Sequence, residues 1–442
     1  MHKRNKHTPI LSKNDLFLCI EGMTAGTIAG LVSAFYRYSL TYAEKGLFYI
    51  LKLIKGNALY IGIWFLLLAV LGVVAAKLIE WESFAGGSGV PQVMAEARGK
   101  MDAPWHRTLI AKFISGTLCF FSGLSLGRTG PSVQLGAMAA KGYSKLRHYK
   151  KGKRETENLL LSCGAAAGIA ATFNAPFAGF FFMLEEIQGK LNRNLMIGGL
   201  SACAAASIIS QCFFGSGPVF HYELQSVPFT CYWLFIPTGI ILGLGGVLYN
   251  FCLLKFGVLL KKLDHLPKEL IFAVIFCISG IVGLLLPEIL AGGNAMAAIL
   301  EKNQPTLEVI LFLLIAKFIF TIFSAGSGVP GGLFFPLLVL GSFLGAACGQ
   351  ITVSLFSLPE AWVTQFILVG IAGLFAAAIR TPLTSIFFAI ELCHPSGSFV
   401  PIAITVIIAC VTANVSGSKP ICRTLMNNLL RKNGLLAEEE EH

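Results

Sequence analysis

The hexapeptide Leu-Ile-Ala-Lys-Phe-Ile occurs twice in this chain, at 109–114 and again at 314–319. The same offset carries Gly123, Gly127, Pro131, Gly136 and Gly168 onto Gly328, Gly332, Pro336, Gly341 and Gly373. After a one-residue slip it also carries Pro176 and Glu185 onto Pro382 and Glu391. The fold must therefore hold two copies of one unit, read here as repeats over 15–215 and 230–430 of a single domain spanning 1–442. The unit is apolar: hydrophobic residues make up 55% of the chain and charged residues 13%, more apolar surface than a soluble globule could hide. Stretches at 57–78, 232–253, 270–291, 306–325 and 400–415 are long enough for full or tilted partial spans. In a membrane chain, duplication of this kind points to a transport pathway between the copies.

Other apolar stretches are short and cut by Gly or Pro. Broken helices are tolerated at membrane depth only where they are buried in protein or line a cavity, so 47 Gly and 18 Pro predict a complex helical bundle with an internal site. The net charge of +11 would suggest nucleic acid in a soluble protein. Here the basic residues form short runs without stacking aromatics, at His2, Lys3, Arg4 and Lys6, in Lys145–Arg154, in Lys255–Lys268 and at Arg423, Arg431 and Lys432. They are read as cytoplasmic anchors, with both termini cytoplasmic and no nucleic-acid partner. The twelve cysteines form no CxxC pair and, like Cys119, Cys203 and Cys277, sit mostly in apolar runs, as small buried hydrophobes do. The first apolar stretch has no cleavage-site pattern and is expected to be retained.

Charge also orients the repeats. The helix after Pro131 runs into Lys145, Arg147, Lys150, Lys151, Lys153 and Arg154, whereas no Lys or Arg follows Pro336 until Arg380. Corresponding ends then face opposite sides of the membrane, and the repeats are inverted. Such halves bring their helix-opening turns together near the midplane. Three turns have the right composition: Gly87-Ser88-Gly89-Val90-Pro91, Gly127-Arg128-Thr129-Gly130-Pro131 and Gly332-Leu333-Phe334-Phe335-Pro336. Glycine allows close backbone approach, proline suits the first helical position, and free N–H groups at a helix start attract an anion. Partial charges hold an anion loosely enough for it to leave, which a direct Lys or Arg contact would not.

These three turns resemble the GSGIP, GREGP and GxFxP motifs of the CLC chloride channels and transporters, and Gly164 to Gly179 resembles a further family segment. The resemblance covers nearly the whole chain. It implies an all-α, inverted-repeat bundle of about eighteen tilted, partly broken helices, a homodimer with one anion pathway per subunit, and no cofactor beyond bound chloride ions. The short stretch after Pro420 sets the expectation that the paired cytoplasmic regulatory domains of larger members are not present. By motif, Ser88, flanked by Gly87 and Gly89, would offer its hydroxyl to the anion, and the N–H groups of Leu333 and Phe334 would donate from the other side. Arg128 would shape the outer end of the pathway or anchor its turn. A plain helix cap is the alternative role for Ser88.

Two departures from the family pattern decide the functional expectation. Thr129, followed by Gly130, stands where the transporters carry the glutamate that is both gate and proton carrier, and threonine has no acid–base equilibrium near neutral pH. Cys422 stands where a tyrosine hydroxyl usually closes the inner side of the site, so the inner constriction should be wider, unless Cys422 faces packing and a neighbour replaces the tyrosine. Glu186 matches the internal proton-handling glutamate of many antiporters, whereas Glu185 has the repeat partner Glu391 and is read as a structural tie. The expectation is passive, proton-uncoupled chloride transport in a bacterial inner membrane, pinched at the outer side by Thr129, Phe334 and Phe335. The alternative is a chloride/proton antiporter with a non-standard proton route. A membrane-embedded enzyme is disfavoured because most of the eight histidines lie in loops or termini.

Overall fold

The computed structural model describes residues 13–147, 154–222, 225–263, 265–302, 305–394 and 397–435. His2, Lys3, Arg4, Lys6, Lys150, Lys151 and Lys153 lie outside them. Seventeen α-helices are formed among the described residues. The first half contains α1 (Lys13–Ile54), α2 (Ala58–Trp81), α3 (Val90–Ala97), α4 (Trp105–Phe121), α5 (Thr129–Leu146), α6 (Arg154–Phe173), α7 (Pro176–Phe182) and α8 (Arg193–Phe214). The second contains α9 (Phe235–Lys261), α10 (Lys268–Leu285), α11 (Asn294–Lys302), α12 (Leu307–Gly326), α13 (Phe334–Phe356), α14 (Val363–Ile379), α15 (Pro382–Cys393), α16 (Phe399–Val415) and α17 (Ile421–Lys432). Among the described residues, eight helical segments are long and apolar enough to cross a membrane, so this is a multi-pass membrane protein. The stretch expected at 400–415 is a shorter helix, and that at 270–291 ends its α-helix at Leu285 before a 3₁₀ turn at Pro287–Ile289.

The duplicated hexapeptide lies in α4 and α12, and its lysine does the same work in each. Lys112 Nζ donates to the carbonyls of Ala85 and Gly87, at 3.1 and 2.7 Å, and Lys317 Nζ to those of Ile289 and Ala291, at 2.8 and 2.9 Å. Both ammonium groups are fully buried, and each satisfies itself on the loop that opens a short helix, α3 or α11. The helices that follow pack through glycine in both halves. A Cβ on Gly164 of α6 would stand 2.4 Å from the Gly136 carbonyl of α5, and one on Gly370 of α14 would stand 2.3 Å from that of Gly341 in α13. Backbone contact at these crossings is possible only without side chains.

Glu185 and Glu391 form a reciprocal tie. Glu391 accepts from the N–H groups of Phe177 and Ala178, at 2.9 and 2.8 Å, while Glu185 accepts from those of Leu383 and Thr384, at 3.0 and 2.8 Å. Each half thus caps a helix of the other, α7 or α15, where the first-turn N–H groups have no intrahelical acceptor.

Candidate functional site: the junction of the two repeats

The three glycine-rich turns meet. Gly127 and Gly332 pair antiparallel, Gly127 N donating to Gly332 O at 2.6 Å and Gly332 N to Gly127 O at 2.8 Å. The Ser88 loop joins the same junction, with Gly87 N donating to Gly328 O at 3.0 Å and Gly331 N to Gly87 O at 3.1 Å. Gly130 fills the centre: a Cβ there would lie 2.4 Å from the Ser88 carbonyl, 2.9 Å from Ser88 Oγ and 3.0 Å from Gly332 Cα. Ser88, Thr129 and the start of α13 are therefore neighbours, although they lie far apart in sequence.

The prolines sit deeper than expected. Pro91 is the second residue of α3, while Pro131 and Pro336 are the third of α5 and α13, not the first. The physics is unchanged, because the N–H groups of the whole first turn lack intrahelical acceptors. Leu333, Phe334 and Phe335 thus present N–H groups at the positive end of α13, and Thr129 and Gly130 do so at that of α5.

The hydroxyls of Ser88 and Thr129 are enclosed, and neither Oγ nor Oγ1 has a hydrogen-bond partner among the described residues. Neither caps a helix: the N-cap of α3 is Gly89, and that of α5 is Arg128 without a side-chain bond. Two buried hydroxyls without a partner among the described residues thus lie beside two helix starts, where first-turn N–H groups lack intrahelical acceptors. The Arg128 guanidinium lies over the rings of Phe173 and Phe335, 5.2 Å from each centroid, and its Nε is likewise without a partner. Phe335 is held in a stack with Phe173 and Phe220, at 6.0 and 5.9 Å, and Phe334 packs edge-on against Phe182 and Phe375.

Cys422 is fully buried at the start of α17, which packs against α3. Sequence reading passed over Tyr249 of α9, which lies within electrostatic range of Cys422 and whose buried hydroxyl has no partner. The next residue, Asn250, donates to the carbonyls of Ala378 and Lys419 at 2.9 and 3.2 Å, tying α9 to the segment before α17. Nothing marked Tyr249 in the sequence, because the few polar residues of α9 are not gathered on one face. Glu186 is buried in a π-helical turn, Met183–Gln188, that continues α7. Its Oε1 has no partner, and Arg98 donates to its carbonyl at 2.8 Å. Nearby, a cavity of about 950 Å³ is lined by Arg98, Lys100, Lys190 and Arg423, at the same end as the basic run near Glu155. Glu96 of α3 and Asp102 both pair with the buried Lys141 of α5, and this hydrogen bond holds the Asp102 carboxyl below its usual range. The pairing fixes the helix that Ser88's turn opens.

Inverted halves, helix starts converging on unpartnered hydroxyls and a basic cavity at one end define a membrane anion transporter. The family model described as voltage gated chloride channel matches residues 71–414. The chain is 30% identical over 430 residues to the H(+)/Cl(-) exchange transporter ClcA of Citrobacter koseri, covering 95% of this chain and 90% of that protein. It is 30% identical over 444 residues to the ClcA of Salmonella agona, covering 98% and 93%. Among solved structures, a slow cyanobacterial Cl-/H+ antiporter superposes with a TM-score of 0.88 at 25% identity, covering 94% of this chain and 99% of that one. A CLC-type fluoride/proton antiporter shares the fold, with a TM-score of 0.75 at 23% identity over 93% and 98%. The chain belongs to the CLC family of anion channels and transporters. These relatives are named as exchangers, so they favour the proton-coupled alternative over the uncoupled transport expected from Thr129.

Proposed function

We propose that this protein carries chloride across a bacterial inner membrane along a pathway through the repeat junction. The anion would be held by Ser88 Oγ and the N–H groups of Leu333, Phe334 and Phe335, with Gly87, Gly89 and Gly130 giving the backbone room to approach. The observation that carries the reading is the unpartnered Ser88 hydroxyl beside Gly130 and Gly332, where helix starts converge. Arg128 concentrates anions at one end of the path and the basic cavity does so at the other. Neither charge need bind the central ion, so it can leave. The proposal includes a homodimer with one pathway per subunit, which membership of the family supports, and cytoplasmic termini, which the distribution of basic residues supports.

The local chemistry favours transport without obligatory proton movement. Thr129 occupies the gate position, fully buried, and offers no carboxylate to compete with chloride or carry a proton. A second reading, chloride/proton exchange, is supported by the named functions of the relatives and by Glu186, a buried carboxylate with one unpartnered oxygen. Simultaneous chloride and proton flux from liposomes, driven by a chloride gradient, separates the two. Chloride efflux without proton uptake supports uncoupled transport. Proton uptake at a fixed ratio to chloride overturns it and makes Glu186→Gln the next variant. No chloride flux in either direction would refute both.

A further inference from the structure

A small cavity of about 140 Å³ lies beside the start of α5, at the end of the bundle away from the basic run, and is lined in part by Glu44, Arg128, Asn294, Phe120 and Phe335. Glu44 is far from any recognised motif, on α1. Both of its carboxylate oxygens accept from Asn294 Nδ2, at 3.1 and 2.8 Å, at the start of α11. The charged groups facing it are Arg128 at the turn into α5 and Lys317 of α12, whose ammonium is anchored on the carbonyls of Ile289 and Ala291. Arg37, on the same helix as Glu44, adds positive charge within range of Arg128, and Lys45 turns aside over the Tyr42 ring. The remaining wall is largely apolar, with Leu40, Phe120 and Phe335, so these charges are poorly screened.

Glu44 and Arg128 line the same small cavity, so an anion entering it beside the guanidinium meets the field of the carboxylate. We propose that Glu44 is a titratable guard of the outer mouth, competing with chloride for Arg128 when ionised and releasing Arg128 to the anion when protonated. Thr129 cannot supply this response, so the proposal moves acid control of the pathway outward to a residue on α1. It rests on the chloride-transport reading above.

The test is chloride efflux from liposomes at equal pH on both sides, from about 7.5 down to about 4.5, which spans the usual carboxylate range. Removing one poorly screened unit charge beside the path raises anion occupancy, so wild-type efflux is expected to rise several-fold on acidification. Glu44→Gln should be flat with pH and fixed at the fast, acid level, while Glu44→Asp should keep the rise. Asn294→Asp, which adds a carboxylate to the same cavity, should slow efflux further at neutral pH. A pH-flat wild type, a Glu44→Gln profile that still follows the wild type, or unchanged neutral-pH efflux in Asn294→Asp would each overturn the proposal while leaving chloride transport standing. Absence of efflux from the wild type at every pH would instead overturn the transport reading beneath it.

Discussion

Replacing Gly332 by alanine tests whether the two repeats meet as described. The added methyl would stand 2.7 Å from the Gly127 carbonyl oxygen and 2.7 Å from the Gly130 nitrogen, both backbone atoms that cannot rotate away. Gly332 has no left-handed backbone conformation, so the effect is purely steric. Relief requires the turns to separate, which strains the paired bonds of 2.6 and 2.8 Å between Gly127 and Gly332. Overpacking a tight site costs about 1–3 kcal/mol and loss of one buried hydrogen bond about 1–3 kcal/mol, giving about 2–6 kcal/mol in all. Gly62→Ala is the control, because nothing lies within 4 Å of a Cβ at that exposed position in α2. It should be neutral or stabilising by under about 1 kcal/mol. Thermal unfolding of the purified protein in detergent, followed by tryptophan fluorescence, should place Gly332→Ala several degrees below the wild type and Gly62→Ala at or above it. Chloride flux should fall with Gly332→Ala, since the same movement separates Ser88 from the start of α13. Wild-type stability and wild-type flux in Gly332→Ala would refute the junction.

Thr129→Glu should slow chloride flux at neutral pH, where the new carboxylate is ionised and competes with the anion. Flux should recover as the pH falls from about 8 towards about 4, and a flat profile over that range would refute the gate placement. Ser88→Pro removes the unpartnered hydroxyl and should raise nitrate flux relative to chloride in anion-substitution measurements; an unchanged ratio counts against Ser88 as a ligand. Glu391→Ala strips two N–H groups of α7 of their acceptor, and Glu185→Ala strips two of α15, so each should destabilise by about 1–3 kcal/mol in thermal unfolding. If one variant unfolds early and the other does not, the reciprocal tie between the halves is wrong.

The duplicated hexapeptide, the glycine and proline spacing and the apolar composition determined much by themselves: a membrane bundle of two related halves, and the turns that approach each other. These are legible because they depend on local properties, namely hydropathy over a span and the backbone freedom of glycine. The Glu185–Glu391 tie was visible for the same reason, as a repeated charge at a helix end. Tertiary structure alone decided which distant residues share a site. Tyr249 sits in a mostly apolar helix without an amphipathic face, and only folding carries it near Cys422. Glu44 reads as an ordinary charge near the end of a long helix until α11 and the turn into α5 close a cavity around it. Lys112 and Lys317 could be seen to repeat, but not to be buried on loop carbonyls, because what a long side chain reaches is fixed by the packing of neighbouring helices. The substitution at Thr129 is likewise plain in the sequence, whereas its enclosure beside Ser88, Gly130 and Gly332 exists only once the halves pair.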